Sequence, residues 1–170
     1  LASKLITAIV AVSQGKPIIA LFLTMICCIV LGMGVPTTAN YCIMAATCAP
    51  ILIAPEIGIN LVCAHFFVFY FGIVADITPP VALAAYAGSA IAKAPPMKTA
   101  INATRLAIAA FIVPYILAFN PAMVFINTNA FQVVQICVTS LLGIFGIAAA
   151  LNGFLFGKLN LLFKILLIAG

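Results

Sequence analysis

The sequence predicts an all-α integral membrane protein in which a re-entrant helical hairpin precedes a broken transmembrane helix. Composition is the first observation: 67% of the 170 residues are hydrophobic and 5% are charged, whereas about a quarter of a soluble domain is charged. Two acids and seven bases cannot cover so apolar a core with polar surface, which argues against a soluble fold. The second observation is a series of apolar runs of helical length, punctuated by glycine, proline and asparagine. The third is that two runs are broken in their interior, at Gly32–Tyr41 ("GMGVPTTANY") and Ala75–Leu83 ("ADITPPVAL"). Lipid offers no hydrogen bonds to a freed backbone, so such breaks persist only where protein buries them or where they line a cavity.

Residues 1–14 read as the end of one span, closed by Gly15, Lys16 and Pro17. From Ile18 to Met33 an apolar helix of about 24 Å falls short of a crossing, and Tyr41–Ile53 is shorter still. Residues 17–54 are therefore expected to form a re-entrant hairpin. The alternative, one kinked span over the same stretch, would reach about 55 Å in a hydrocarbon core of about 30 Å. A surface loop with Pro55, Glu56 and Gly58 leads into 61–93, one crossing with a central flaw. There Pro79 and Pro80 remove two successive donors, with Thr78 expected as the N-cap of a second half-helix and Pro79 at its first position. "KAPPMK" is an interfacial loop, 97–119 a span that tolerates Pro114, Asn120–Asn129 a polar loop, and 131–151 the next span. The run 159–170 is shorter than the roughly 20 residues a span needs. With no initial methionine or signal-peptide pattern, the chain is expected to be a fragment of a longer protein.

In the hairpin topology Lys16 and Glu56 share one side, and Lys93, Lys98 and Lys158 the other, with Arg105 snorkelling towards it. The more basic side is cytoplasmic, so the hairpin enters from outside. Charge does not choose between the two topologies, because a full crossing would gather Lys16 with the other lysines. Helix length carries that choice.

Other chemistry finds little to work with. The bases stand singly, without aromatic interleaving, which argues against nucleic acid. Cys27, Cys28, Cys42, Cys48, Cys63 and Cys137 lie in apolar segments without a C-x-x-C pair, as packing residues do. His65 has no second histidine or carboxylate near enough to hold a transition metal and is expected to hydrogen-bond between helices. No G-x-S-x-G elbow surrounds a serine, and Asp76 lacks the second aspartate of an aspartyl protease. Asn102-Ala103-Thr104 matches a glycosylation acceptor only as a pattern, since the topology puts it inside. "GFLFG" at Gly153–Gly157 offers one small-residue motif at a span end.

A hairpin tip and an interrupted helix at mid-depth are the anatomy of an ion-transporter-type fold, in which half-helix N-termini face anionic substrate and unwound carbonyls coordinate a cation. Thr37, Thr38, Asn40, Asp76 and Thr78 would supply the oxygens, with the carbonyls of Gly32 to Val35. The same residues also suit helix caps, and Asp76 suits an ion or proton site as well as a cap. A channel with a re-entrant pore loop is the competing class. A purely structural module leaves the breaks without a purpose.

At these residues a family resemblance enters. "GMGVPTTANYCIMAATCAPIL" followed by "VADITPPVALAAYAGSAIA" resembles the second hairpin and second broken helix in the large membrane subunit of tripartite ATP-independent periplasmic (TRAP) transporters, over roughly Ser13 to Phe125. The wording of both motifs is similar to the fused permeases that work with TAXI-type solute receptors. The resemblance implies the second half of an inverted repeat, in the C-terminal part of a permease of the bacterial or archaeal inner membrane. It implies an elevator mechanism importing a small organic acid by sodium symport, with a TAXI-type periplasmic binding protein, the rest of the permease including its small-subunit part, and membrane lipid as partners. No cofactor is implied beyond the coupling ion, Na⁺. Ion ligands fall among Gly32, Gly34, Val35, Thr37, Thr38, Ala75, Asp76 and Thr78, and substrate contacts among Pro36, Thr38, Asn40, Pro79 and Pro80. Many members carry glycine or a neutral residue where this chain has Asp76.

Overall fold

The computed structural model describes residues 2–155, 157 and 160–169. Packing divides the chain into two units, residues 1–119 and 120–170.

In the first unit, α1 (Ala2–Ser13) stops where Gln14 and Gly15 adopt positive φ, 50° and 72°. Helix α2 (Pro17–Gly32) starts on Pro17, whose missing N–H is no loss in a first turn. It ends where Met33 turns extended and Gly34 takes φ 76°, a conformation glycine adopts without a Cβ penalty. The chain then runs back through α3 (Thr37–Thr47) and the single turn α4 (Ala49–Ile53), separated at Cys48, two residues before Pro50. A Cβ placed on Gly15 would sit 3.7 Å from the Glu56 carbonyl oxygen. The two ends of the 17–54 stretch therefore lie side by side, and the unwound tip is confined to Met33–Pro36.

Helix α5 (Leu61–Val74) opens with the Asn60 side chain accepting from the Val62 N–H at 3.0 Å. It is apolar all round, as befits a central helix, and packs against α2, α3, α4 and α8. A 3₁₀ turn, Ala75–Ile77, follows, then α6 (Leu83–Ile91), α7 (Pro96–Leu106) and α8 (Ile108–Phe119). Phe67 and Phe71 of α5 meet Phe111 and Tyr115 of α8 at centroid distances of 5.3 to 6.0 Å. Such pairs contribute about 0.5–1.5 kcal/mol each beyond burial, which matters where lipid tails remove the hydrophobic drive for helix association. The Tyr41 hydroxyl lies 3.0 Å from His65 Nδ1, so the histidine does hydrogen-bond between helices, α5 to α3.

In the second unit, a 3₁₀ turn (Pro121–Val124) leads to α9 (Ala130–Asn152), whose start carries a capping box between Asn129 and Gln132. It ends on Gly153 at φ 70°. Helix α10 (Leu161–Ala169) packs back on it, and Gly146 permits the contact, since a Cβ there would lie 3.1 Å from the Leu167 carbonyl oxygen. Lys158 and the expected helix start at Leu159 lie outside the described residues, as does Phe156 of the "GFLFG" motif.

Pro96–Phe119 and Ala130–Asn152 are each long and apolar enough to cross a membrane. The stretch expected as one span, 97–119, lies within the first of them, with α7 passing into α8 at Ala107 (φ −87°, ψ 18°). A difference concerns Thr78 and Pro79. Thr78 is not the N-cap of the next helix, nor does Pro79 begin it: α6 starts four residues later, at Leu83, behind Ala82 at φ 38°. Pro80 is the reason, because a residue followed by proline is pushed out of the α region, and Pro79 is that residue.

Candidate functional site

The tip of the 17–54 turn and the break after α5 meet. Gly32 is the point of closest approach: a Cβ there would lie 2.8 Å from Asn40 Nδ2, 3.0 Å from Ala75 Cβ and 3.2 Å from the Gly72 carbonyl oxygen. Gly34, at the apex, faces Leu83, the first residue of α6, with 3.9 Å from its would-be Cβ to Leu83 Cδ1. The apex thus abuts the half-helix that follows the break.

Asn40 ties the two together. Its amide donates to the Gly72 carbonyl at 2.9 Å, and the residue is 2% exposed. A carbonyl can only accept, so the amide nitrogen is assigned to Gly72 and Oδ1 points away from it. Oδ1 is buried and has no hydrogen-bond partner among the described residues. A buried, unpaired amide oxygen costs about 1–3 kcal/mol and is a strong donor of electron density to a cation.

The break itself is largely satisfied from within. Prolines at 79 and 80 have no N–H for the carbonyls of Ala75 and Asp76 four residues earlier. Ala75 O is met by the Thr78 N–H at 3.3 Å, and the Thr78 hydroxyl donates to Val74 O at 2.7 Å. Thr104 of α7 donates to Ile77 O at 3.0 Å, Ala82 N–H to Thr78 O at 3.2 Å, and the Tyr86 hydroxyl to Pro80 O at 2.6 Å. The Asp76 carbonyl faces a proline where a helix would supply its donor. Asp76 is partly buried within the 3₁₀ turn.

The structure brings together Gly32 and Asn40 from the tip with Ala75 from the break and sets Gly34 against Leu83, while Pro36, Thr37 and Thr38 are exposed and Val35 is partly buried. Pro79 is partly buried and Pro80 exposed. Thr37 and Thr38 do not cap α3 but form its first turn, with Pro36 at the cap position. Thr104, Tyr86 and Gly72 escape sequence reasoning. Their roles depend on contacts such as Thr104 to Ile77, 27 residues apart, and nothing local marks them. Two clefts lie elsewhere: one of about 420 Å³ is walled by Tyr41, His65 and Phe69, and one of about 480 Å³ by Phe22, Phe111 and Tyr115. Both are lined by apolar and aromatic side chains and contain neither tip glycine nor break residue.

Comparison with known proteins bears on this geometry. No curated protein and no solved structure matches the chain. A family model described as the tripartite ATP-independent periplasmic transporter, DctM component, matches residues 1–130, a range that includes the tip, the break and every candidate site residue. That component is a non-enzymatic, multi-pass permease of the inner membrane, which in general works with a small subunit and a periplasmic binding protein. The chain belongs to the DctM family, the large membrane component of TRAP transporters.

Proposed function

We propose that this part of the permease holds the coupling-ion site of a sodium symporter that imports a small organic acid delivered by a TAXI-type periplasmic receptor. Residues 17–54 form a re-entrant hairpin entering from outside, and 61–93 a transmembrane helix broken at mid-depth. The observation that carries the reading is the junction of Gly32, Asn40, Gly72 and Ala75, with Asn40 Oδ1 buried and unpartnered among the described residues. A hard cation at depth needs several oxygens. Asn40 Oδ1, the carbonyls of Gly32 to Val35, the Asp76 carboxylate and carbonyl, and the hydroxyls of Thr37, Thr38 and Thr78 are those within this region. Asn40 is too enclosed to touch substrate and is assigned to the ion instead. Substrate contacts remain with the exposed or partly buried Pro36, Thr38, Pro79 and Pro80, beside the dipole-positive starts of α3 and α6.

The test uses reconstituted full-length permease with its receptor. Thr38→Ala and Asp76→Asn should each raise the Na⁺ concentration for half-maximal uptake about tenfold, the equivalent of about 1.4 kcal/mol, with receptor binding of substrate unchanged. Uptake that follows a proton gradient and ignores Na⁺ would make Asp76 a proton carrier and sink the sodium site. Unitary currents would make the protein a channel.

A further inference from the structure

Two thiols meet inside the 17–54 turn. Cys28 lies on α2, one turn ahead of Gly32, and Cys48 forms the joint between α3 and α4. Both are 0% exposed, and their side chains lie within hydrogen-bonding reach of each other, one from each arm. Thr47, whose hydroxyl donates to Ile43 O at 2.7 Å, also touches Cys48 Sγ at 3.6 Å and holds that thiol in place. Cys27 is only partly buried and stands about 100° round the helix from Cys28. A buried cysteine by itself is ordinary packing. Here sulfur meets sulfur between two arms of the chain, and a fold that already holds two thiols together has met the loop-closure cost of a disulfide.

The face of α2 that carries Cys28 is also the least satisfied in this packing. Thr24, Cys28 and Gly32 follow one another at i, i+4 and i+8, all buried. Thr24 Oγ1 is enclosed without a partner among the described residues, and Gly32 abuts Asn40, whose Oδ1 is likewise unpartnered. Each such group costs about 1–3 kcal/mol, and α2 moving off α3 would open both to new partners. We infer that Cys28 and Cys48 form a redox-active dithiol, a modification site at which a small-molecule disulfide is reduced and a Cys28–Cys48 disulfide locks the two arms together. One thiol attacks the small disulfide, breaks its S–S bond and expels a first thiol; the other cysteine attacks the resulting mixed disulfide and expels the second. Two S–H bonds and one S–S bond are exchanged for one S–S bond and two S–H bonds. In the proposed hairpin both arms end at the outer face, with Cys48 about 9 Å below Ala54 at 1.5 Å per residue, and the space outside an inner membrane is oxidising. The cross-link stands on the contact alone, whereas its effect on transport rests on the ion site proposed above. An ion held by Asn40, between Gly32 of α2 and Gly72 of α5, leaves when one of those contacts opens, and the disulfide closes the α2 route.

The test treats reconstituted full-length permease, with every cysteine except Cys28 and Cys48 replaced by serine, with 4,4′-dithiodipyridine, an aromatic disulfide that enters membranes. Each linked chain should release two thiopyridones, lose the mass of two hydrogens and yield on digestion a Cys28 peptide joined to a Cys48 peptide. Should that background fail to insert, peptide mapping of the chain with its native cysteines reads the same link. Uptake should fall in proportion to the fraction linked and return with dithiothreitol, while Cys28→Ser and Cys48→Ser should each keep full uptake after the same treatment and reduction-sensitive linking should vanish. Linking is read in the chemistry, and its effect in uptake under whichever gradient drives it, so failure of the sodium site does not decide the outcome. Mixed disulfides or unreacted thiols at both positions overturn the dithiol. A background that keeps Cys27 in place of Cys28 and links as fast also overturns it, and full uptake by the linked chain overturns the lock.

Discussion

Gly32 carries more of the site than any polar residue, because it sets how closely two backbones approach. A methyl group there would meet Asn40 Nδ2, Ala75 Cβ and Gly72 O at 2.8 to 3.2 Å. Gly32→Ala should therefore cost about 1–3 kcal/mol by overpacking and separate tip from break. It is expected to lower the melting temperature of the detergent-solubilised permease and abolish uptake. Gly143→Ala, at a helical position with nothing within 4 Å, should be neutral or stabilising, since alanine gains up to about 1 kcal/mol over glycine in a helix. A melt that treats the two alike would remove Gly32 from its role. The glycine was legible in the sequence as part of a break, but its function as a contact was not. Periodicity reports which residues leave a helix and says nothing of what comes to meet them.

At the scale of elements, proline chemistry decides where helices stop. Pro79 and Pro80 withhold the donors that Ala75 O and Asp76 O would use in a continuous helix, and α5 gives way to a 3₁₀ turn. Replacing both with alanine restores those donors and lets the helix run on towards α6. The double variant is expected to insert and express normally but to lose uptake, because the carbonyls near Asp76 would be consumed in the ladder. Full uptake in the double variant would mean that the break has no part in transport. This punctuation was readable because it acts within one turn. The start of α6 was misplaced by the same locality: an N-cap pattern at Thr78-Pro79 is sound for a single proline, and the second proline cancels it.

For the whole molecule, the chain returns at Glu56 to the side of Gly15, and the proposed hairpin accordingly has Lys16 and Glu56 on one side of the membrane. In a cysteine-free, full-length background, single cysteines at positions 16 and 56 should both react with an impermeant thiol reagent from outside, and ones at 93 and 98 should not. Labelling of 16 and 56 from opposite sides would replace the hairpin by a crossing. The proximity of residues 15 and 56 is a tertiary fact that helix lengths only suggested. Two half-length helices fit a hairpin better than a span, yet length alone does not bring their ends together.

By itself, the sequence determined the solvent, the helical class and where both runs are interrupted, since composition and proline or glycine punctuation act over one or two turns and need no fold to be read, while the family came from the resemblance of its two motifs. Tertiary structure alone decided that the breaks meet. The Asn40 amide reaches Gly72 across 32 residues of sequence, a contact that exists only once α2, α3 and α5 are packed. It also turned Asn40 from a polar residue near a tip into a strut with one buried oxygen left over, and it gave Thr104 the carbonyl of Ile77. Those outcomes depend on which helix faces meet. In a chain apolar on nearly every face, the pattern of side chains does not specify that; the close approach of small residues and the need to satisfy each freed carbonyl do.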